Sequence, residues 1–528
     1  MNNRKPHSWI ALLLVAALIM LTGCQSVDGL DLNKVMKNSY SIQSAESKQT
    51  IALEITPNPA AETMTEEDKK AFELFSNVQL TISEAIQQDY THISIKGVFE
   101  YNKGKIPFQL TISDQDYTIL VEGAKKPIVI HNNGALQELQ AQQGLSKEME
   151  QLIKQTYQKI YAWYPSFGGY LAGLIPNVNK ISVSSASEMV GTEGLKGKNI
   201  HVELKGSELV ELTRSFLKNL LADDKGLKEM LGQIYDIFVP IVQQVMKENQ
   251  DASGSYSDMI SPYLNNKTLA VELAYTYITS NLKQTIEYYD TYVKELSESY
   301  SGESLKVLLS DKFSVKTDVF VDGDLMPRKS STEVLVNMPD DNTTAVKSVK
   351  LTTTAQTWNI NKPVKAAVID TSAGQIEMNS FNKPNQFLAA LDPKSSLYEL
   401  LKYDLHITKK DINLLMDNYS GFDDTTKPFY RNGVIMVPAR FVVEELDAEV
   451  NWNAANQQVT VTDPSSGVVI KLNVGSKQAT VNGLIKPLEV EAELKDGTTY
   501  VPVRFIAESL GATVKWNSDM QMVTISRE

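Results

Sequence analysis

The fold of the last part of this chain is decided by a stretch that occurs twice. Residues 436–461 read MVPARFVVEELDAEVNWNAANQQVTV, and residues 500–525 read YVPVRFIAESLGATVKWNSDMQMVTI. The two segments align without a gap at an offset of 64 residues, and half of the aligned positions are identical. A repeat of this length indicates that one supersecondary unit has been duplicated.

Each copy carries the same order of structural signals. A short apolar strand ends at Pro438 or Pro502, because proline cannot donate to a sheet ladder but suits the first turn of a helix. Apolar residues at helical spacing follow, and apolar residues that alternate with polar ones around an asparagine turn then indicate a hairpin. The sequence therefore predicts two β-α-β-β repeats.

We expect the shared residues of the two copies to be structural. The arginine and glutamate of each copy are four residues apart on a helix, where a surface ion pair contributes roughly a few tenths of a kcal/mol. Each tryptophan alternates with Val450 or Val514, which favours core packing over stacking on a glycan. The motif residues are Pro438, Arg440, Phe441, Glu444, Trp452, Pro502, Arg504, Phe505, Glu508 and Trp516.

The shared residues form the pattern VPxRFxxExLGAxVxWN, complete at 501–517 and with Asp447 in place of the glycine at 437–453. This pattern resembles the copper amine oxidase N-terminal-like domain, which occurs in tandem in surface proteins of Gram-positive bacteria. The resemblance implies a tandem module over 411–528. In the namesake enzymes the copper and the quinone cofactor lie in a different domain, to which nothing in this sequence corresponds, so the resemblance implies no oxidase.

The composition restricts the class of protein. The chain has 528 residues, of which 42 % are hydrophobic and 22 % charged, as in folded globular proteins. A formal charge of −13 and a pI near 5.1 argue against nucleic acid as a partner. Cys24 is the single cysteine, so the chain can form neither an internal disulfide nor a cysteine-based zinc site.

The start of the chain predicts export and lipidation. Arg4 and Lys5 precede an apolar run at 9–21, and the sequence LTGC follows at 21–24. Residues 1–23 therefore predict a signal peptide. LTGC resembles the lipobox of bacterial lipoproteins, which implies a lipid on Cys24, a polar tether over 24–37 and a location on the extracellular face of the cytoplasmic membrane. A plain secretory signal that ends near a cysteine is the alternative.

Residues 38–380 alternate between strand and helix patterns. Long alternating segments flank helical segments that are apolar on one face, which predicts an α+β domain with a curved antiparallel sheet packed on amphipathic helices. Together with the tail WNINKPV at 358–364, this architecture resembles that of lipid-carrier lipoproteins. The resemblance implies an apolar cavity, although an ordinary filled core explains the same pattern. Candidate lining residues are Leu212, Phe216, Ile234 and Phe238.

The sequence contains no specific motif for catalytic chemistry. The five histidines show no metal-ligand spacing, and three S-x-x-K matches lack the S-D-N and K-T-G partners that would support them. The chain has no G-x-S-x-G motif, P-loop or dinucleotide-binding fingerprint. We therefore predict that the protein is not an enzyme and has no metal and no cofactor.

Two hypotheses for the function remain. In the first, the protein is a non-catalytic lipoprotein, anchored through Cys24, whose repeat domain binds a cell-wall polymer or a surface protein. In the second, the middle domain carries a lipid or another apolar ligand between its sheet and its helices. A polar connector over 381–410 separates the two domains.

Overall fold

The computed structural model describes residues 26–59, 61, 64–131, 146–248, 260–298, 302–339, 344–378, 381, 384–416 and 427–527. The chain divides into two compact units. The first comprises Met1–Ile119 and His131–Ile369, and the second comprises Leu120–Ile130 and Asp370–Glu528. Antiparallel sheets, one curled into a half-barrel, combine with helices, which confirms the predicted α+β class.

Long helices and long strands alternate in the first unit. Its helices are α1 Leu32–Tyr40, α2 Glu66–Phe75, α3 Lys147–Leu174, α4 Gly206–Ala222, α5 Asp224–Glu248, α6 Lys267–Glu287, α7 Tyr289–Glu298 and α8 Gly302–Leu308. The strands that begin in it are β1 Ala45–Pro57, β2 Asn77–Gln87, β3 Ile93–Tyr101, β4 Gly104–Ile112, β5 Asp116–Val121, β7 Lys180–Val190, β8 Glu193–Lys205, β9 Phe313–Asp322, β10 Pro327–Asn337 and β11 Val346–Trp358.

The sheet of the first unit joins the two ends of that unit. Its strand order is β5-β4-β3-β2-β1-β11-β10-β9-β8-β7. Strand β1 pairs antiparallel with β2 on one side and with β11 on the other. The first and last strands of the unit are therefore neighbours in one continuous sheet.

The segment that follows the predicted lipidation site is folded. Leu30 and Leu32 are 2 % and 0 % exposed and pack with Ile200 and Val315 of the sheet. Asp31 accepts a hydrogen bond from the backbone N–H of Lys34 at 3.0 Å and caps α1. The predicted tether over 24–37 is thus too long, because α1 begins at Leu32 and buries Leu32 and Val35 while it exposes Lys34 and Lys37.

Short elements make up the second unit. Its helices are α9 Pro384–Ala389, α10 Ser396–Glu399, a π-helical turn Leu400–Asp404, α11 Ala439–Glu445 and α12 Val503–Ser509. Its remaining strands, with β6 Ile128–His131 begun in it, are β12 Ile376–Glu377, β13 Lys410–Leu415, β14 Phe429–Arg431, β15 Val434–Pro438, β16 Glu449–Asn453, β17 Gln458–Thr462, β18 Val469–Asn473, β19 Gln478–Val481, β20 Leu484–Pro487, β21 Glu493–Lys495, β22 Thr498–Pro502, β23 Thr513–Asn517 and β24 Met522–Arg527.

The two copies of the repeat meet around a pseudo-two-fold axis. Strands β15 and β22 pair antiparallel so that Val437 lies opposite Val501, which is its own equivalent in the second copy. The central sheet has the order β14-β15-β22-β21, and the same two-fold operation exchanges its outer strands. This arrangement is isologous, as in a symmetric dimer, so each copy completes the sheet of the other.

The two outer sheets are related by the same two-fold symmetry, but the strands that complete them come from different parts of the chain. In the first copy, β17 pairs with β18, and Ile470 lies opposite Val461. In the second copy, β24 pairs with β13, and Ile412 lies opposite Ile525. Strand β13 precedes both repeats, so the segment before the duplication completes the last repeat.

Each copy also begins with a strand that the sequence analysis does not predict. Strands β14 and β15 are joined at Asn432 and Gly433, which have φ of 49° and 79°, and β21 and β22 are joined at Asp496 and Gly497 with the same values. Positive φ at both central residues is the requirement of a type I′ hairpin turn. The repeat is therefore β-β-α-β-β, with the predicted β-α-β-β as its larger part.

Candidate functional site

The motif tryptophans lie at the surface of the second unit. Trp452 on β16 is 37 % exposed, and Trp516 on β23 is 38 % exposed. Each lies opposite a buried valine of the neighbouring strand, Val459 or Val523. The indoles therefore share a face with these buried valines, as core packing requires, but more than a third of each stays exposed near the end of its hairpin.

Exposed apolar side chains occupy equivalent positions in the two copies. Tyr430 of the first copy is 51 % exposed and meets Trp516 of the second edge-to-face, with ring centroids 5.9 Å apart. We call these two residues the Tyr430 patch. Their equivalents at the offset of 64 are Leu494, which is 45 % exposed, and Trp452, and we call them the Leu494 patch. Each copy of the repeat thus carries an exposed tryptophan and a second exposed apolar side chain at equivalent positions.

The other motif residues build the helix of each copy. Pro438 and Pro502 are buried and occupy the N-cap positions of α11 and α12. Phe441 and Phe505 pack against the core that the two copies share. The guanidinium of each arginine donates to its glutamate at 3.1 Å on the helix surface, Arg440 to Glu444 and Arg504 to Glu508.

A buried polar network joins the end of the chain to the first copy. Arg527 donates to the carboxylate of Asp463 and, at 2.6 Å, to the backbone carbonyl of Leu446 at the end of α11. Burial raises the pKa of the Asp463 carboxyl, but hydrogen bonds from Ser466 and Ser465 and the charge of Arg527 outweigh it, so this pKa lies below its usual value. The carboxylate is therefore ionised inside the unit.

The four predicted cavity residues do not share one environment. Leu212 packs against the core that contains Leu32 and Ile200, whereas Phe216 packs with Leu217, Leu282 and Tyr289. Ile234 is half-buried, and Phe238 is 42 % exposed. Leu212 and Phe216 thus belong to two different hydrophobic clusters, and the apolar cavity stays a prediction.

A continuous apolar row crosses the sheet of the first unit. Directly opposed partners on successive strands are Leu204, Val315, Val334, Leu351, Leu53 and Val78. Leu204 and Val315 are 1 % and 2 % exposed, whereas the other four are half-buried. Opposed residues lie on the same face of a sheet. The apolar face is thus well covered at β8 and β9 and less covered toward β2.

Titratable groups of the first unit include one distinct cluster. The imidazole of His201 lies 2.9 Å from an oxygen of Asp318 and 3.4 Å from an oxygen of Glu203. The hydrogen bond to Asp318, with a smaller contribution from Glu203, raises the pKa of His201. Within the described residues, no group of three or more His, Cys, Asp or Glu side chains is arranged to hold a metal ion.

The predicted lipidation site, Cys24, lies outside the described residues. Across the part of the chain that the structure describes, no helix combines the length and the hydropathy that a membrane span requires.

Comparisons with known proteins identify the module at the end of the chain. Residues 418–525 match the family model of the copper amine oxidase N-terminal domain. The chain is also similar to a Brevibacillus choshinensis protein described as a protease inhibitor, with 34 % identity over 85 residues, which are 16 % of this chain and 26 % of that protein. The chain thus spans about a quarter of the length of this relative. No solved structure matches significantly.

Proposed function

We propose that the protein is a non-catalytic lipoprotein, held on the extracellular face of the cytoplasmic membrane by a lipid on Cys24, whose repeat unit binds a cell-wall polymer or a surface protein. The observation that carries the proposal is the exposed Tyr430–Trp516 pair on a module that matches an N-terminal, non-catalytic domain. Tyrosine and tryptophan supply much of the energy at binding surfaces, because each combines a large apolar area with a polar atom.

The duplicated surface also supports binding to a repetitive partner. Each patch offers a small apolar area, which gives weak affinity on its own. The Tyr430 patch and the Leu494 patch occupy equivalent positions in the two copies, and we propose that a polymer or an array of surface proteins contacts both. The second contact is then intramolecular, and the combined affinity exceeds that of either patch.

A sedimentation assay tests the binding step. Residues 25–528, which lack Cys24, are incubated with purified cell wall, and the bound fraction is measured after centrifugation. We expect Trp516→Ala with Tyr430→Ala to reduce binding, whereas Ile485→Ala should not. Ile485 is a suitable control because it is 68 % exposed and lies on β20, at the opposite edge of its sheet from β16. Equal binding by all three proteins contradicts the proposed surface.

A labelling experiment tests the anchor separately. Cells that express the full chain are fed radiolabelled palmitate, and the protein is recovered and fractionated. The wild-type chain should carry label and remain with the membrane, because two or more acyl chains give stable anchoring. Cys24→Ala should lose both the label and the membrane association. Label that persists in this variant contradicts lipidation at Cys24.

A second candidate function is the transport or storage of an apolar ligand by the first unit. It is favoured by the half-buried aliphatic residues at the centre of the sheet, since binding sites for apolar ligands are lined by such side chains. Native mass spectrometry with organic extraction tests it. We expect a lipid-sized mass that Leu351→Lys removes and Thr352→Lys, on the opposite face of β11, retains. An unliganded mass under all detergent and salt conditions contradicts the carrier function.

A further inference from the structure

A polar cavity of about 360 Å³ lies within the second unit, apart from both surface patches. Its lining comes from the segment before the repeats, from the turn after β17, from the end of α12 and from the end of β24. The residues that matter here are Asn385, Leu388, Lys402, Thr408, Leu510 and Arg527. Cavities that bind small molecules have volumes from roughly 300 to 1,000 Å³, so this one suits a ligand with few heavy atoms.

Two buried polar atoms at this cavity have no hydrogen-bond partner among the described residues. They are the side-chain nitrogen Nδ2 of Asn385, which is 2 % exposed, and the hydroxyl oxygen Oγ1 of Thr408, which is 4 % exposed. An unsatisfied buried donor destabilises the folded state, and buried polar groups are therefore paired in the great majority of cases. Asn385 and Thr408 both line the cavity, and an unpaired buried atom on each of two lining residues indicates a site that a ligand completes.

The charges at the cavity favour an anion. The ammonium of Lys402 is held 3.0 Å from the hydroxyl of Tyr398 and 5.3 Å from the centre of its ring. An ammonium carries three donors, so this contact leaves donors for a ligand. The neighbouring Glu508 already accepts from Arg504, and Arg527 is neutralised by Asp463. Lys402 therefore supplies the net charge of the lining.

We propose that this cavity binds a small carboxylate whose body is a short, partly apolar chain. A carboxylate accepts from the amide of Asn385, the hydroxyl of Thr408 and the ammonium of Lys402, and it needs no acceptor from the protein. Charge-assisted hydrogen bonds of this kind are stronger than neutral ones. Leu388 and Leu510 line the same cavity and contact the hydrocarbon part of the ligand.

Binding requires a local rearrangement. The unpaired atoms of Asn385 and Thr408 have almost no solvent-accessible surface. Both side chains must therefore turn toward the cavity when the carboxylate enters. The energy of their unpaired state is released at the same time, which contributes to the affinity.

Calorimetric titration of residues 25–528 with lactate and with N-acetylalanine tests the proposal. Each acid is compared with its neutral amide, lactamide or N-acetylalaninamide, which has nearly the same shape. We expect the acids to bind about tenfold or more tightly than the amides, the factor that one charge-assisted hydrogen bond supplies. Lys402→Met should remove this preference. Equal affinities for acid and amide, or no heat with either acid, overturn the proposal.

Thr408→Val separates a ligand-binding role from a structural one. Valine has the shape of threonine without the hydroxyl, so the variant should weaken acid binding while leaving the thermal midpoint of the ligand-free protein unchanged or raised. The matched control is Thr480→Val on β19, which should leave acid binding unchanged. A Thr408→Val protein that binds as the wild type does, or that loses several degrees of thermal midpoint without ligand, contradicts the assignment.

Discussion

Asp463 and Arg527 hold equivalent positions in the two copies of the repeat, 64 residues apart, and form an ion pair with each other. Their side chains are 0 % and 8 % exposed. Equivalent residues meet near a two-fold axis, and exact symmetry would make them identical. Here one of the two is acidic and the other is basic. The ion pair therefore joins the two copies, with the acidic residue in the first copy and the basic residue in the second.

Removal of one partner of this pair should destabilise the second unit strongly. We expect Arg527→Met to lower its free energy of unfolding by about 3–5 kcal/mol, because an unpaired carboxylate stays buried. The double variant Asp463→Leu with Arg527→Met should lose less than the sum of the two single variants. Denaturant unfolding followed by hydrogen exchange in residues 427–527 measures the stability of the single and double variants.

Arg504→Met is the control, because it removes an ion pair at the surface and should change the stability by less than about 1 kcal/mol. Similar losses of stability in Arg527→Met and Arg504→Met contradict the role of burial.

The same carboxylate predicts acid sensitivity. The pKa of Asp463 is lowered in the folded protein, so its contribution to stability is fully present above the unfolded pKa of about 3.9 and is lost as the pH falls through the folded pKa. Thermal midpoints of the second unit between pH 7 and pH 3 should fall more steeply for the wild type than for Asp463→Asn. Parallel curves contradict this linkage.

His201 should titrate with a pKa raised above the ordinary value of histidine. Asp318 and Glu203 raise its pKa, so its stabilising contribution is present below the unfolded pKa of about 6.5 and is lost as the pH rises through the folded pKa. Histidine-selective NMR should show this raised pKa, and Asp318→Asn should lower it. A His201 pKa that Asp318→Asn leaves unchanged means that the hydrogen bond is not its cause.

Strand β13 should stabilise the second copy as much as β18 stabilises the first. Ile412 precedes the segment that matches the family model, yet it is 7 % exposed and packs in the same core as Ile470. We expect Ile412→Ala and Ile470→Ala each to destabilise the second unit by about 2–5 kcal/mol. Denaturant unfolding of the two variants provides the measurement. A negligible effect of Ile412→Ala shows that β13 is dispensable.

The sequence predicts local structure here better than it predicts which segments meet. The spacing of apolar residues and the position of the proline predict the helix and the hairpin of each copy, because those elements depend on residues that are close in sequence. The offset of 64 identifies equivalent residues, but it does not say that Val437 pairs with Val501 or that Asp463 meets Arg527. Those contacts depend on the two-fold packing of the copies.

The sequence also carries local signals for two further features of the fold. The dipeptides Asn432-Gly433 and Asp496-Gly497 are strong hairpin signals that identify the additional strand of each copy. Leu32 and Val35 begin an apolar face that indicates α1 instead of a tether. No local pattern marks Asn385 and Thr408, because an unpaired buried atom depends on what packs around it.

A saturation isotherm on purified cell wall measures whether the Tyr430 patch and the Leu494 patch both bind the cell surface. Residues 25–528 are compared with Trp516→Ala, Trp452→Ala and the double variant. We predict that each single variant binds more weakly than the wild type and that the double variant loses saturable binding. Full binding by the double variant, in a protein that remains folded, would contradict this account.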